Sequence, residues 1–199
     1  MKNKKLTVSY YKSLGTLKLS QDILGKKIVT QINNQITSGI IVESEAYLGV
    51  KDRASHAFNN KLTSRTKTMY EEGGISYIYL CYGMHNLFNI VTNNKGIPEA
   101  ILIRAIEPID GLPIMYKRRN IKKNSYNLTN GPGKLSQALG ITKKYNGEAL
   151  HNNCIWLEDI KNNISKKDIT SGPRIGIDYA GVDAKLPYRF YITNNKWVS

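Results

Sequence analysis

The chain has little of what builds a metal site, a disulfide scaffold or a membrane span. It contains two cysteines, Cys81 and Cys154, far apart, and three scattered histidines, His56, His85 and His151. These spacings match no zinc or iron–sulfur motif and no disulfide framework. No apolar run approaches the ~18 residues of a membrane helix. The opening stretch MKNKKLTVSYYKSLG is basic but lacks a sustained apolar segment, so it does not read as a signal peptide. The resulting expectation is a cytoplasmic protein with no metal and no cofactor. Acidic residues are also scarce: 15 Asp and Glu stand against 29 Lys and Arg, for a net charge of +14 over 199 residues. That excess says nothing about fold. It predicts attraction to polyanions, with nucleic acid first and anionic membrane surfaces second. The length suits one domain with a sizeable core, and no internal repeat or linker divides it.

The most informative stretch, residues 40–49, reads IIVESEAYLG. Ile40, Ile41 and Val42 open it as a buried strand. Glu43, Glu45 and Tyr47 follow at steps of two, which places them on one face of an extended chain. A partly desolvated carboxylate beside an aromatic ring suits general-base chemistry on a flat substrate. The competing reading is a strand running out into solvent with two glutamates on its wet end.

Around this stretch, residues 1–16 read as an irregular basic arm and 17–199 as the domain. Residues 17–24 suit a short helix closed by Gly25. Residues 28–31 and 35–38 flank Asn33–Asn34 as a hairpin. From 49 to 74 no period holds, and so long a structureless connection is often functional. It carries His56 and Arg65, and a lone loop histidine is more often a surface or structural residue than a functional one. From Ile75 the run ISYIYLCYGMHNLFNIVTNNKG predicts two strands turning at Tyr82-Gly83. The tip tyrosine fits either a base-wedging side chain or plain strand propensity. Residues 99–108 form an apolar strand carrying Arg104, which must pair with a carboxylate or point into a site. Asp110 is placed to cap a helix ending near Arg119, with a solvated basic cluster running to Lys123. Residues 132–139 form a helix between Pro132 and Gly140, and its glycine-rich start with Lys134 resembles a phosphate site. Residues 143–167 read as polar loop around a short apolar patch at 154–157. Residues 173–177 and 188–198 read as closing strands.

Taken in order, IVESEAYLG, His56, YIYLCYGMHNLFNIVT, ILIRAIEP, NGPGKLSQALGI, PRIGIDYAG and YRFYITNNKWVS resemble the alkyladenine (3-methyladenine) DNA glycosylase family over nearly the whole chain from about Leu19. The resemblance implies a single mixed α/β (α+β) domain with a central antiparallel sheet, flanking helices and a protruding β-hairpin. It implies a monofunctional, metal-free enzyme that acts as a monomer on double-stranded DNA containing damaged purines and hydrolyses the base–deoxyribose bond. Carried onto this sequence, it makes Glu45 the base that activates water and Arg104 the residue that holds both. Tyr47, His56 and Tyr79 would sandwich the flipped base. Asn89 would screen out normal guanine, and Tyr82 would fill the gap in the duplex. Arg65, Met84 and Lys134 would touch the DNA backbone. The segment 63–66 lacks the proline common in the family, and 57–59 departs from its small polar residues. The other class of function compatible with this charge and these tyrosines is a non-catalytic nucleic-acid-binding module on the same fold. That reading leaves Glu45 without a purpose, because an acidic group repels phosphate.

Overall fold

A computed structural model describes residues 4–121 and 125–199. Its frame is one antiparallel sheet of β1 (Lys4–Lys5), β2 (Lys27–Ile32), β3 (Gln35–Tyr47), β4 (Ser76–Cys81), β5 (His85–Thr92), β6 (Glu99–Asp110), β7 (Ile155–Asp159), β8 (Ile169–Gly172) and β9 (Arg189–Ile192). The strand order is β1-β7-β2-β3-β6-β5-β4, and β9 pairs with both β3 and β8. Among the described residues three α-helices accompany it, α1 (Thr16–Asp22), α2 (Leu112–Arg119) and α3 (Pro132–Leu139). The architecture is the mixed α/β fold expected above. Among the described residues no helix is long and apolar enough to cross a membrane.

The β2–β3 turn forms at Asn33 and Asn34, whose φ angles are 52° and 58°. Asparagine tolerates this left-handed region, and two such residues match the twist of a tight hairpin. Leu19 and Ile23 near α1, Met115 of α2, and Leu135 and Leu139 of α3 pack with Ile78, Phe88, Ile90, Ile101 and Ile103 in the main core. The intervening positions on β4, β5 and β6, including Tyr77, Tyr79, Asn89, Leu102 and Arg104, line a cavity on the other face. The sheet thus divides into a core face and a site face through the two-residue period of its strands.

β3 and β6 break that period together, and on β6 Ile103 and Ile106 both reach the main core at an odd step of three. Ile41 and Ala46 both belong to the main core, although an odd step of five would put them on opposite faces of a regular strand. The register with β6 shifts between Ile41 and Glu43 and again between Glu43 and Ser44. The shifts leave Val42 of β3 and then Arg104 of β6 outside the paired register, one extra residue on each strand, and the register is restored at Ser44↔Ile103. They let Ile40 and Val42 pack in a separate apolar cluster while Glu43 and Glu45 together meet Arg104 of β6.

Several expectations differ from the structure. The described part of the basic arm is not irregular but docked: Lys4 and Lys5 pair with Asp159 and Glu158 of β7, Val8–Lys12 forms a 3-10 helix, and Tyr11 is buried in the main core. Residues 1–3 lie outside the described residues. Asp110 does not cap α2. Gly111, at φ 77°, takes that position, and the Asp110 carboxylate instead accepts from Ser38 and pairs with Lys27. The basic cluster is not simply a solvated face, since Arg118 donates to the Ala138 carbonyl and Arg119 to the Leu128 carbonyl. Lys122 and Lys123 lie outside the described residues. The apolar patch at 154–157 contributes β7, because its alternate residues Ile155 and Leu157 reach the main core. The segment 173–177 is not a strand. Pro173 removes a ladder donor, and Arg174 turns inward to an ion pair. The final strand stops at Ile192.

The Tyr11 ring packs against Gly74, where a Cβ would lie 2.8 Å from the ring. Its hydroxyl is buried and has no hydrogen-bond partner among the described residues. A buried, unsatisfied hydroxyl costs about 1–3 kcal/mol. Tyr11→Phe is therefore expected to raise the unfolding free energy by about 1 kcal/mol, read from the urea midpoint. A lower midpoint would mean that the hydroxyl has a partner such as an ordered water.

Candidate active site

The site face holds a cavity of about 590 Å³. Of the residues expected at the site, Tyr47, His56, Arg65, Tyr79, Tyr82, Asn89, Arg104 and Lys134 line it. Glu45 is fully buried at its foot. Met84 is exposed on the far side of the hairpin and lines a separate recess with His85, Arg118 and Lys144.

The foot of the cavity is an ionic network. Glu45 accepts from the Tyr47 hydroxyl at 2.8 Å and from the Ile175 backbone N–H at 2.8 Å. Its Oε1 lies 3.2 Å from Arg104 Nη1. Arg104 Nε donates to Glu43 at 3.1 Å, and its Nη2 donates to the Ser199 hydroxyl at 3.2 Å. Glu43 also receives Arg189 Nε at 2.6 Å and the Ser199 N–H at 2.8 Å. Every edge of the Arg104 guanidinium is therefore engaged, and its orientation toward Glu45 is over-determined. Burial raises the Glu45 pKa above 4.5. Arg104, the Ile175 N–H and the Tyr47 hydroxyl oppose that shift, and the Glu43 charge reinforces it. Tyr47 is itself held as a phenol by burial and by the Glu45 charge, so it acts as a donor.

A second buried pair fixes the loop that supplies the Ile175 N–H. Arg174 donates to both Asp52 oxygens, at 2.5 and 2.8 Å, and to the Ala46 carbonyl at 2.9 Å. Its guanidinium lies 4.8 Å over the Tyr47 ring. Asp52 in turn accepts from the N–H groups of Leu48 and Ala54. One ion pair thus ties the structureless connection, the end of β3 and the 173–177 segment together. Sequence reasoning missed Arg174 and Asp52 as site residues. The available signal was the one used for Arg104, an arginine set among apolar residues in Pro-Arg-Ile-Gly-Ile.

The wall carries the rings. Tyr77 and Tyr79 stand two apart on β4, with ring centroids 5.6 Å apart. The His56 ring meets Tyr79 edge-on at 4.6 Å. Arg65 Nη2 lies 3.1 Å from His56 Nε2, and His56 Nδ1 lies 2.8 Å from the Tyr77 hydroxyl. Guanidinium has no acceptor, so Nε2 accepts and Nδ1–H donates to Tyr77; the bond network assigns this tautomer. Asn89 spends both amide hydrogens on the Tyr77 and Leu87 carbonyls, which leaves Oδ1 for a ligand. At the hairpin tip Tyr82 is 87% exposed. It is held at φ 51° beside Gly83 at φ 72°, and the turn closes through Met84 N–H to the Cys81 carbonyl. Lys134, in the first turn of α3, donates to Asn130.

Burial, then the nearby Arg65 and Lys61 charges, lower the His56 pKa from 6.5 to about 4. Between those values the unfolded chain binds the extra proton. The contribution of neutral His56 is complete above about pH 6.5 and is lost as the pH falls toward 4. The gap in melting temperature between wild type and His56→Asn is expected to narrow across that range. A constant gap would mean that His56 keeps an ordinary pKa in the fold.

Comparison with known proteins shows the family of the chain. The chain is 46% identical over 192 residues to a protein of Chlamydia felis (strain Fe/C-56), covering 96% of this chain and 97% of the relative. It is 43% identical over 203 residues to one of Clostridium novyi (strain NT), covering 98% of each, and 43% identical over 199 residues to one of Bacillus cereus (strain AH820), covering 96% and 97%. All three are provisionally named 3-methyladenine DNA glycosylases. The family model described as methylpurine-DNA glycosylase matches residues 9–196, and the chain belongs to that family.

Proposed function

We propose that this protein is a monofunctional DNA glycosylase that flips a damaged purine out of duplex DNA and hydrolyses its N-glycosidic bond with water activated by Glu45. The substrates in this reading are 3-methyladenine, other alkylpurines and hypoxanthine. The observation that carries the reading is a fully buried carboxylate, held by two hydrogen-bond donors and an ion pair to Arg104, at the foot of an aromatic-walled cavity. A water beside Glu45 attacks the anomeric carbon, the carbon–nitrogen bond breaks with its electron pair going to the purine, and the water proton passes to Glu45. The transition state carries positive charge on the sugar, as in glycoside hydrolysis, and Glu45 sits where it opposes that charge. Arg104 keeps the carboxylate oriented and limits the repulsion between Glu43 and Glu45.

Flipping costs a few kcal/mol. Stacking on a ring returns about 1–3 kcal/mol per base, so Tyr47, His56 and Tyr79 together offset extrusion. Neutral His56 fits this role better than an imidazolium would, since it adds no charge of its own against an alkylated, cationic purine. Tyr82 fills the vacated space in the stack. Asn89, locked by its two donated hydrogen bonds, would exclude the guanine amino group by occupying its space, a steric screen rather than an electrostatic one. Lys134 lines the cavity mouth as a backbone contact, while Met84, on the separate recess, would reach DNA only through the exposed hairpin tip. The test is base release from metal-free duplex oligonucleotides carrying an alkylated purine or hypoxanthine. An abasic product is the expected result. Tight binding without a product would instead make this a binding module.

A further inference from the structure

Arg65 does not behave like a surface residue reaching for phosphate. Its guanidinium lies 4.7 Å over the Tyr79 ring, and its Nη2 is bonded to His56 Nε2 at 3.1 Å. Both partners are walls of the cavity. Among the described residues no carboxylate forms an ion pair with it. The cavity wall therefore carries an uncompensated positive charge, on the side where a stacked base would sit. The opposite charges, on Glu43 and Glu45, lie at the foot.

We propose that Arg65 stabilises the departing purine electrostatically and thereby adapts this cavity to neutral purines, which leave as anions. The inference rests on the glycosylase reading above. Charge balance at the breaking bond distinguishes the two kinds of substrate. Heterolysis sends the electron pair to the base nitrogen, and water then supplies hydroxide to the sugar with its proton going to Glu45. A cationic alkylpurine accepts that pair and becomes neutral. A neutral purine such as hypoxanthine accepts it and becomes an anion. Only interactions that strengthen between ground state and transition state accelerate the reaction. Measured from the unflipped complex, the base nearing departure carries little net charge if it began as a cation, and a nearby guanidinium then changes little. If the base began neutral, it nears departure with negative charge, and a preorganised cation stabilises it directly. DNA laid over the cavity excludes water, which strengthens this effect on an otherwise exposed arginine. His56 contributes by geometry: it orients Arg65 through Nε2 while Tyr77 holds its other nitrogen.

The experiment is single-turnover base release from two duplexes, one carrying hypoxanthine and one carrying 7-methylguanine as the cationic probe. Wild type, Arg65→Gln and Arg65→Lys are compared. The expected result is a loss in Arg65→Gln at least tenfold larger on hypoxanthine than on 7-methylguanine, with Arg65→Lys recovering most of the hypoxanthine rate. Equal losses on both lesions, the pattern of a phosphate contact, overturn the assignment. So does a wild type that releases 7-methylguanine and is inert on hypoxanthine. A wild type that releases neither base overturns the glycosylase reading, and this assignment with it.

Discussion

Glu45→Gln is expected to lower base release from lesion-bearing duplex DNA by about 10²–10⁴-fold or more, the range for loss of a positioned general base, with duplex affinity retained. Glutamine keeps the volume, its carbonyl oxygen can still accept from the Ile175 N–H, and its NH2 can donate to the Tyr47 hydroxyl oxygen in place of the present bond, so the cavity keeps its shape. What it loses is the capacity to take a proton and the negative charge facing the sugar. Binding to a polyanion does not depend on that charge. The pH profile adds a second reading. Burial raises the Glu45 pKa above 4.5, and the ionised form is the one that works. Wild-type release should therefore fall on the acid side, along a limb lying above the ordinary carboxylate range, and Glu45→Gln should lack that limb. Unchanged release in the variant would sink the mechanism.

Breaking the Asp52–Arg174 pair is expected to have the largest effect on stability. Both side chains are almost wholly buried. Removing one member of such a pair leaves a desolvated charge without its partner and costs about 3–5 kcal/mol. For a chain of this size that corresponds to a fall of roughly 6–20 °C in melting temperature, at about 2–4 °C per kcal/mol. Asp52→Asn and Arg174→Met should each show it. The double variant should lose much less than the sum, because neither charge then remains unpaired. Losses that simply add would mean that the two residues act independently. Activity provides a separate reading. Arg174 precedes Ile175, whose N–H holds Glu45, so either single variant, assayed below its melting temperature, should lose turnover rather than substrate affinity.

Local pattern carried much of this protein. The hairpin turns at Asn33–Asn34 and Tyr82–Gly83, the helix between Pro132 and Gly140, and the strands carrying Glu45, Tyr79 and Arg104 are all written in residues whose conformational preferences act over a few positions. The absence of a period over 49–74 was also legible, and that connection holds only short single-turn helices at Gly49–Lys51, Phe58–Asn60 and Lys67–Tyr70. The segment 173–177 misled, because its alternating apolar residues look like a strand. Its conformation is set instead by Asp52, 122 positions away, a distance at which periodicity holds no information.

By itself, the sequence determined the strand and helix periods, the basic surface and the ordered set of motifs, since each depends on composition or on residues close in the chain. Only the tertiary structure decided that Glu43 and Glu45 are buried against one arginine rather than solvated. It also decided that paired bulges in β3 and β6 place that pair on the site face, that the described part of the basic arm is docked, and that Arg65 joins His56 and Tyr79 in the wall of the cavity. Burial, register shifts and long-range ion pairs are properties of which segments come to face one another. Nothing local in the chain specifies the charge or the dielectric that a side chain will meet there.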